Sequence, residues 1–280
     1  MYRIGIHLML AAALSGAVLE RAYGVLPVPV AHWTFDGNGL DASGNGNDAK
    51  PYGTISYVPG VSGQAAQFHG NGDYFQVANN PAIGLRSTQE FSVTAHVQPV
   101  GLGQQVILTH GRTGMSWASW SLSIQDDMLY PTGPLHPESF VFNVRASPGT
   151  PTSAVAKAVA NRWTHVAATY DGATLKLYLD GVLQSSVAAP RPYDNGTDLY
   201  IGGDRGGTSP AGMGSGWAWY AGLVDDIRIF DQALTVDEIA EVMQGPAQPE
   251  LAEDPSPAQG AIDVPQDTTL RWTAGDSAAT

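Results

Sequence analysis

The carboxylates come first among the residues of this 280-residue chain whose types and spacing could do chemistry. Cleaving a glycosidic bond takes two carboxylates about 5–9 Å apart, commonly set on one strand in a Glu-x-Asp-x-Glu run. The glutamates are Glu20, Glu90, Glu138, Glu238, Glu241, Glu250 and Glu253, and only Glu90 and Glu138 fall in the strand-rich region. Neither has an acidic residue two or four positions away, and Asp126-Asp127 would point to opposite faces of a strand. A hydrolase pattern is absent. Gly212–Gly216 lies in a glycine-rich loop with no helix to follow, so it does not read as a nucleophile elbow. Gly202–Gly207 lacks the helix whose amides would cradle a phosphate. His32, His69, His96, His110, His136 and His165 are scattered without a His-Glu-x-x-His motif. His96 and His165 read as structural strand residues.

Two other chemistries are better supplied. Calcium takes six to eight oxygen ligands, and Asp36, Asn38, Asp41, Asn71, Asp73, Asp225 and Asp226 are oxygen donors at strand ends and loops. The same residues also serve as turn formers that bond their own backbone. Sugars stack on exposed aromatic rings. Trp117 and Trp120, with Arg112 nearby, and Trp217, Trp219 and Tyr220 after a glycine-rich loop are the candidate sugar-binding residues. Packing at the edge of the core is the competing role for each. Trp33 and Trp163 lie in strand motifs and are expected inside.

Composition narrows the partners. There are 13 Lys+Arg against 26 Asp+Glu, a net charge of −13, and no Lys/Arg run, which argues against nucleic acid and anionic membrane surfaces. With no cysteine there is no disulfide framework, thiolate zinc site or thiol nucleophile. Charged residues are only 14%, so Gly, Ser, Thr, Asn and Gln must dress the surface, as in exported β-proteins. Residues 1–24 read as a secretory signal peptide: Met1-Tyr2-Arg3, an apolar run from Ile4 to Val18, then Ala22-Tyr23-Gly24. Glu20 and Arg21 end that run too early for a bilayer span. The expected location is extracellular or the cell surface, with no membrane insertion after cleavage.

The elements that must position these residues are strands. Phe91, Val93, Ala95 and Val97 alternate with polar residues, as do Phe140, Phe142 and Val144, and Leu175, Leu177 and Leu179. Asp180-Gly181 and Asp171-Gly172 punctuate such runs as hairpin turns. Thr235-Val236-Asp237-Glu238 is a capping box opening a short helix that Gly245-Pro246 stops. The reading is an all-β, two-sheet antiparallel sandwich over 25–245 with one short C-terminal helix. Residues 246–260 read as a proline-rich linker and 261–280 as the truncated start of a second β-sandwich module.

His32–Gly37, Asp41–Asn47, Gly60–Gly70, Asp73-Tyr74, Trp163–Gly172, Leu177–Gly181 and Gly222–Phe230 follow one another as a set. Residues 31–245 thereby resemble a LamG-like jelly-roll domain of the concanavalin A-like lectin/glucanase superfamily. The tail weakly resembles the start of a fibronectin type III-like or Ig-like module. The resemblance implies a jelly roll whose first and last strands pair. It also implies a structural calcium held by an acidic residue near the first strand and an Asp in the last, positions matched by Asp36 and Asp225. Asp225 is expected on the face of Leu223, Ile227 and Ile229, with Asp226 on the other beside Arg228. The functional expectation is a secreted, non-catalytic module that binds a polysaccharide or glycoprotein surface within a larger modular protein. An adhesive spacer and an extracellular glycoside hydrolase are the alternatives.

Overall fold

Alternating apolar residues become strands here because each run can bury one side against a second sheet. The computed structural model describes residues 26–85, 90–111, 118–124, 136–147, 151–193, 196–203, 219–245, 253–256 and 271–273. In chain order the strands begin with β1 (Ala31–Trp33), β2 (Ala49–Tyr52), β3 (Ser56–Pro59), β4 (Gln64–His69) and β5 (Tyr74–Val77). Next come β6 (Phe91–Pro99), β7 (Gln105–His110), β8 (Trp120–Ile124), β9 (Ser139–Val144) and β10 (Thr152–Lys157). Then follow β11 (Thr164–Tyr170), β12 (Thr174–Leu179), β13 (Val182–Ala188), β14 (Leu199–Ile201) and β15 (Ala221–Phe230). Helix α1 (Val236–Gln244) precedes β16 (Glu253–Ser256) and β17 (Arg271–Thr273).

The strands form two antiparallel sheets. One runs β13-β12-β11-β6-β15-β4-β3, with β1 also paired to β15; the other runs β10-β9-β8-β7-β14-β5-β2. The first and last strands pair as expected, Trp33 opposite Ile227 and Ala31 opposite Ile229. Asp180 and Gly181 both take positive φ (49° and 76°), as a tight hairpin turn between β12 and β13 requires. Between the sheets lie Trp33, Phe35, Phe75, Phe91, Phe140 and Phe142, all buried. Trp163, expected inside, is half-buried just before β11.

One expectation changes. Asp226 has φ 51° in a bulge where the β15–β6 register slips between Asp225 and Arg228. Asp225 consequently pairs with His96 on the outer side of its sheet, while Val224, Ile227 and Ile229 enter the core. Asp225 does not share the face of Ile227 and Ile229. Asp226 does pair with Arg228, at 2.9 Å. Glu253–Ser256 pairs antiparallel with Arg271–Thr273 as a separate two-stranded sheet.

The helix forms as its capping box dictates. The Thr235 hydroxyl accepts from the Glu238 N–H and the Glu238 carboxylate accepts from the Thr235 N–H. Ile239 and Val242 face inward and pack with Ala167, Tyr178, Phe230 and Leu234. The helix thus covers the outer face of the first sheet.

Candidate functional site

The expected sugar-binding aromatics separate. Arg112, Trp117 and Trp217 lie outside the described residues. Trp120 is 0% exposed and stacks between His110 and Phe142, at 6.1 and 5.9 Å between ring centres. Tyr220 is also 0% exposed, with its ring edge-on to Phe68 and its hydroxyl donating to the Leu223 carbonyl at 3.1 Å. Burial raises that phenol well above its ordinary pKa. Both rings point between the sheets and offer no face to a ligand, which corrects the expectation for them. The alternation places Trp120 and Tyr220 on the core side, and no loop lifts them out.

Trp219 instead belongs to an aromatic shelf. On the second sheet Phe75 and Val77 point into the core, so Tyr74 and Gln76 point outward. Antiparallel partners share a face, so Tyr52, opposite Tyr74, and Lys50 and Tyr200, both opposite Gln76, are outward too. Tyr52 stacks on Tyr74 at 4.7 Å with the rings 7° apart, and Tyr74 stacks on Trp219 at 5.8 Å. Tyr200 meets Tyr74 edge-on at 6.1 Å, and the Lys50 ammonium sits 5.4 Å over Tyr52. A Cβ on Gly203 would come within 2.2 Å of the Trp219 ring, so glycine there seats the indole against the strand. Beyond Tyr200 the same row continues through Thr109, Ser121 and Asn143, all buried, to half-buried Ser153. The Gln76 amide donates to Asp198 at the shelf edge. Tyr52, Tyr74, Gln76 and Tyr200 escaped the sequence reading. The alternation Tyr74-Phe75-Gln76-Val77 was the available signal, but it does not reveal that Trp219 lies beside it.

The expected metal donors also divide. Asp41 accepts from the N–H groups of His32, Ser43 and Asn47; these bonds outweigh the opposing effect of burial and lower its pKa. Asp73 likewise accepts from Thr54 and His69 at both oxygens. Asn38 caps its own turn through Leu40, and Asn71 is exposed. Asp41, Asp73 and Asn38 brace loops through their own hydrogen bonds. Asp36 and Asp225 are different: both grip the 60–64 turn, Asp36 through the Gln64 N–H and Asp225 Oδ2 through those of Val61 and Ser62. Asp225 Oδ1 is buried without a hydrogen-bond partner. Burial first, then Asp226 and Asp36, push its carboxyl up to about 6 against those two N–H bonds. An orphaned carboxylate oxygen near a second carboxylate suits a hard cation, with backbone carbonyls and water completing its shell. Among the described residues no group of three or more acidic or histidine side chains gathers as a metal cage. Glu138 pairs with Lys157, and Glu90 accepts from the Ala233 N–H.

With this geometry in place, the family is clear. Residues 69–240 match the family model described as the concanavalin A-like lectin/glucanases superfamily. The chain belongs to this superfamily. No curated protein matches it by sequence. Among solved structures, domain 4 of a GH43 extracellular arabinanase from Geobacillus stearothermophilus, in complex with arabinotriose, is 20% identical with a TM-score of 0.54, covering 79% of this chain and 100% of that domain. The receptor binding domain of botulinum neurotoxin C/D mosaic serotype is 15% identical with a TM-score of 0.59, over 78% of this chain and 51% of that one. The binding domain of Paraclostridial Mosquitocidal Protein 1 is 15% identical with a TM-score of 0.58, over 78% and 52%. The chain thus spans about half the length of these toxin domains. At such identities the likeness concerns the concanavalin A-like fold.

Proposed function

We propose that this chain is an exported, non-catalytic carbohydrate-binding module of a larger extracellular protein, with the sugar lying on the Tyr52–Tyr74–Trp219 shelf. The observation that carries the reading is three partly exposed rings stacked in a row on the outer face of a sheet, beside a polar edge. Ring faces bind the apolar faces of sugars, and a few placed polar groups orient the hydroxyls. The arabinanase domain, solved with arabinotriose, supports a sugar as ligand, and the net charge of −13 favours a neutral one over an acidic one. The partner is a polysaccharide or the glycan of a surface glycoprotein.

A structural calcium belongs to the same proposal. Asp36 and Asp225 would hold it, and the ion would supply the positive charge that two neighbouring carboxylates lack. Those residues themselves clasp the 60–64 turn against β15.

A glycan array probed with the full chain tests the sugar reading. Retention of a neutral oligosaccharide is expected. Trp219→Ala should weaken it about three- to tenfold while the melting temperature stays nearly unchanged, as befits a partly exposed ring. Undiminished binding by that variant, or no glycan retained by the wild type, overturns the shelf.

A further inference from the structure

The rings of the shelf are stacked, and stacking decides which of their faces a ligand can reach. Tyr52 on β2 and Tyr74 on β5 stand opposite each other in register, with ring centres 4.7 Å apart and planes 7° from parallel. That spacing matches the separation of neighbouring strands, about 4.7–4.9 Å, so each ring rises over its own strand and turns its face to the other. Rings lying flat side by side could not bring their centres so close. On the other side of β5 lies β14. The Tyr220 N–H donates to the Gly202 carbonyl at 2.9 Å, just past the end of β14, which brings Trp219 to that side of Tyr74. The indole stacks there at 5.8 Å with the planes 27° apart. Tyr74 is thus covered on both faces. A sugar held between two rings would need their centres about 7–8 Å apart, twice an ordinary contact distance, and neither gap allows it.

The two ends of the pile differ. At the β2 end the Lys50 ammonium sits over the Tyr52 ring at 5.4 Å, and a sugar there would have to displace it. At the other end, a Cβ on Gly203 would come within 2.2 Å of Trp219 Cε3 and 2.5 Å of Cζ3, but 3.4 Å from Cδ2. The backbone therefore abuts the indole at its outer edge, beyond the Cε3–Cζ3 bond, and not at its face. Trp219 is partly exposed, and among the described residues no further ring or ammonium packs on it. We propose that the shelf holds a single sugar unit, stacked on the face of Trp219 turned away from Tyr74, and that Tyr74 and Tyr52 are positioning residues that fix the plane of the indole. The ligand class is one neutral sugar unit, free or presented on a longer glycan, and not a run of units laid along the rings. The inference rests on the shelf being the sugar site.

The probes are methyl glycosides of neutral sugars and the corresponding di- and trisaccharides, arabinotriose among them, titrated into the full chain and followed by NMR. Each further aromatic platform engaged multiplies affinity by about two- to tenfold. With one platform, a trisaccharide should bind no more than about threefold tighter than its methyl glycoside, the factor that comes from offering three units. Intermolecular Overhauser contacts should join the sugar C–H protons to the Trp219 indole, whose signals are assigned by their loss in Trp219→Ala. None should reach the Tyr52 ring. Tyr74→Leu, which removes the stacked support, should weaken binding about three- to tenfold, and Tyr74→Phe, which keeps the ring, should restore it. Affinity that climbs beyond about threefold from one unit to three, or contacts to Tyr52, overturns the single-unit inference and leaves the shelf standing. If Trp219→Ala binds like wild type, or no sugar binds at any length, the shelf falls and this inference with it.

Discussion

Asp225 presents no surface to solvent, and its Oδ1 has no hydrogen-bond partner. With its folded pKa pushed up to about 6 from the ordinary 3.8, the folded state keeps this proton after the unfolded chain has lost it. Stability therefore falls as pH rises from 3.8 through about 6 and stays lowered above. At about 1.4 kcal/mol per pH unit, the 3.8-to-6 window amounts to about 3 kcal/mol. A native-state cation offsets this: calcium at about 100 times its dissociation constant adds about 2.7 kcal/mol. For a domain of this size that raises the melting temperature by roughly 5–10 °C. Asp225→Asn keeps an acceptor for Val61 and Ser62 but removes the charge. It should melt above wild type in EDTA at pH 7.5 and show no calcium response. Wild-type melts identical in EDTA and in excess calcium would discard the ion.

At the scale of elements, α1 and β15 together bury a polar patch. His96 and His165 face each other at 4.8 Å between ring centres, and Asp226 takes His32 at 2.6 Å and Arg228 at 2.9 Å. The Arg228 Nη1 donates to the Val242 carbonyl at 3.0 Å, satisfying a helix C-terminal acceptor from the sheet below. Neither nitrogen of His165 has a partner. Burial, then the neighbouring His96, hold His165 down to about 3 instead of 6.5. The unfolded chain then takes up the proton first, so stability is lost as pH falls below 6.5 and is flat above. His165→Leu removes two unpaired buried nitrogens. It should raise the melting temperature at pH 7 and make the loss between pH 6.5 and 4 shallower. An unchanged acid limb in melts across that range would show that the ring is solvated.

The whole sandwich depends on its first strand being present. Between Trp33 and Phe35, β1 and its continuation place two large buried side chains against both sheets, and the Trp33 indole N–H donates to the Asn47 carbonyl at 2.8 Å. Losing each aromatic costs about 3–5 kcal/mol, against a total stability of about 5–15 kcal/mol. A chain of residues 25–245, the start expected after leader removal, should melt cooperatively. One of residues 40–245 should not. Circular dichroism melts decide it, and a cooperative transition in the shorter chain would show the terminal pairing to be dispensable.

Local patterns determined the main strands, the Asp180-Gly181 hairpin and the capped helix, each from residues a few positions apart, where periodicity and turn chemistry act directly; the ordered motifs gave the superfamily, and only that resemblance implied the pairing of the first and last strands. What the tertiary structure alone decided involves residues brought together from far along the chain. Alternation tells Tyr74 from Phe75, but not that Trp219, 145 positions later, lies on the same face. It places Ser92, Thr94 and His96 on a polar side, yet that side is buried because α1 and its approach cover it. One extra residue at Asp226 reverses the faces of β15, and this moved Asp225 away from Ile227 and Ile229. A bulge leaves no mark in a period-two pattern when the residues on both sides of it are buried. Trp120 and Tyr220 became core for the related reason that ring type does not distinguish a platform from packing. Only the opposing sheet, closing over those rings, decided which they were.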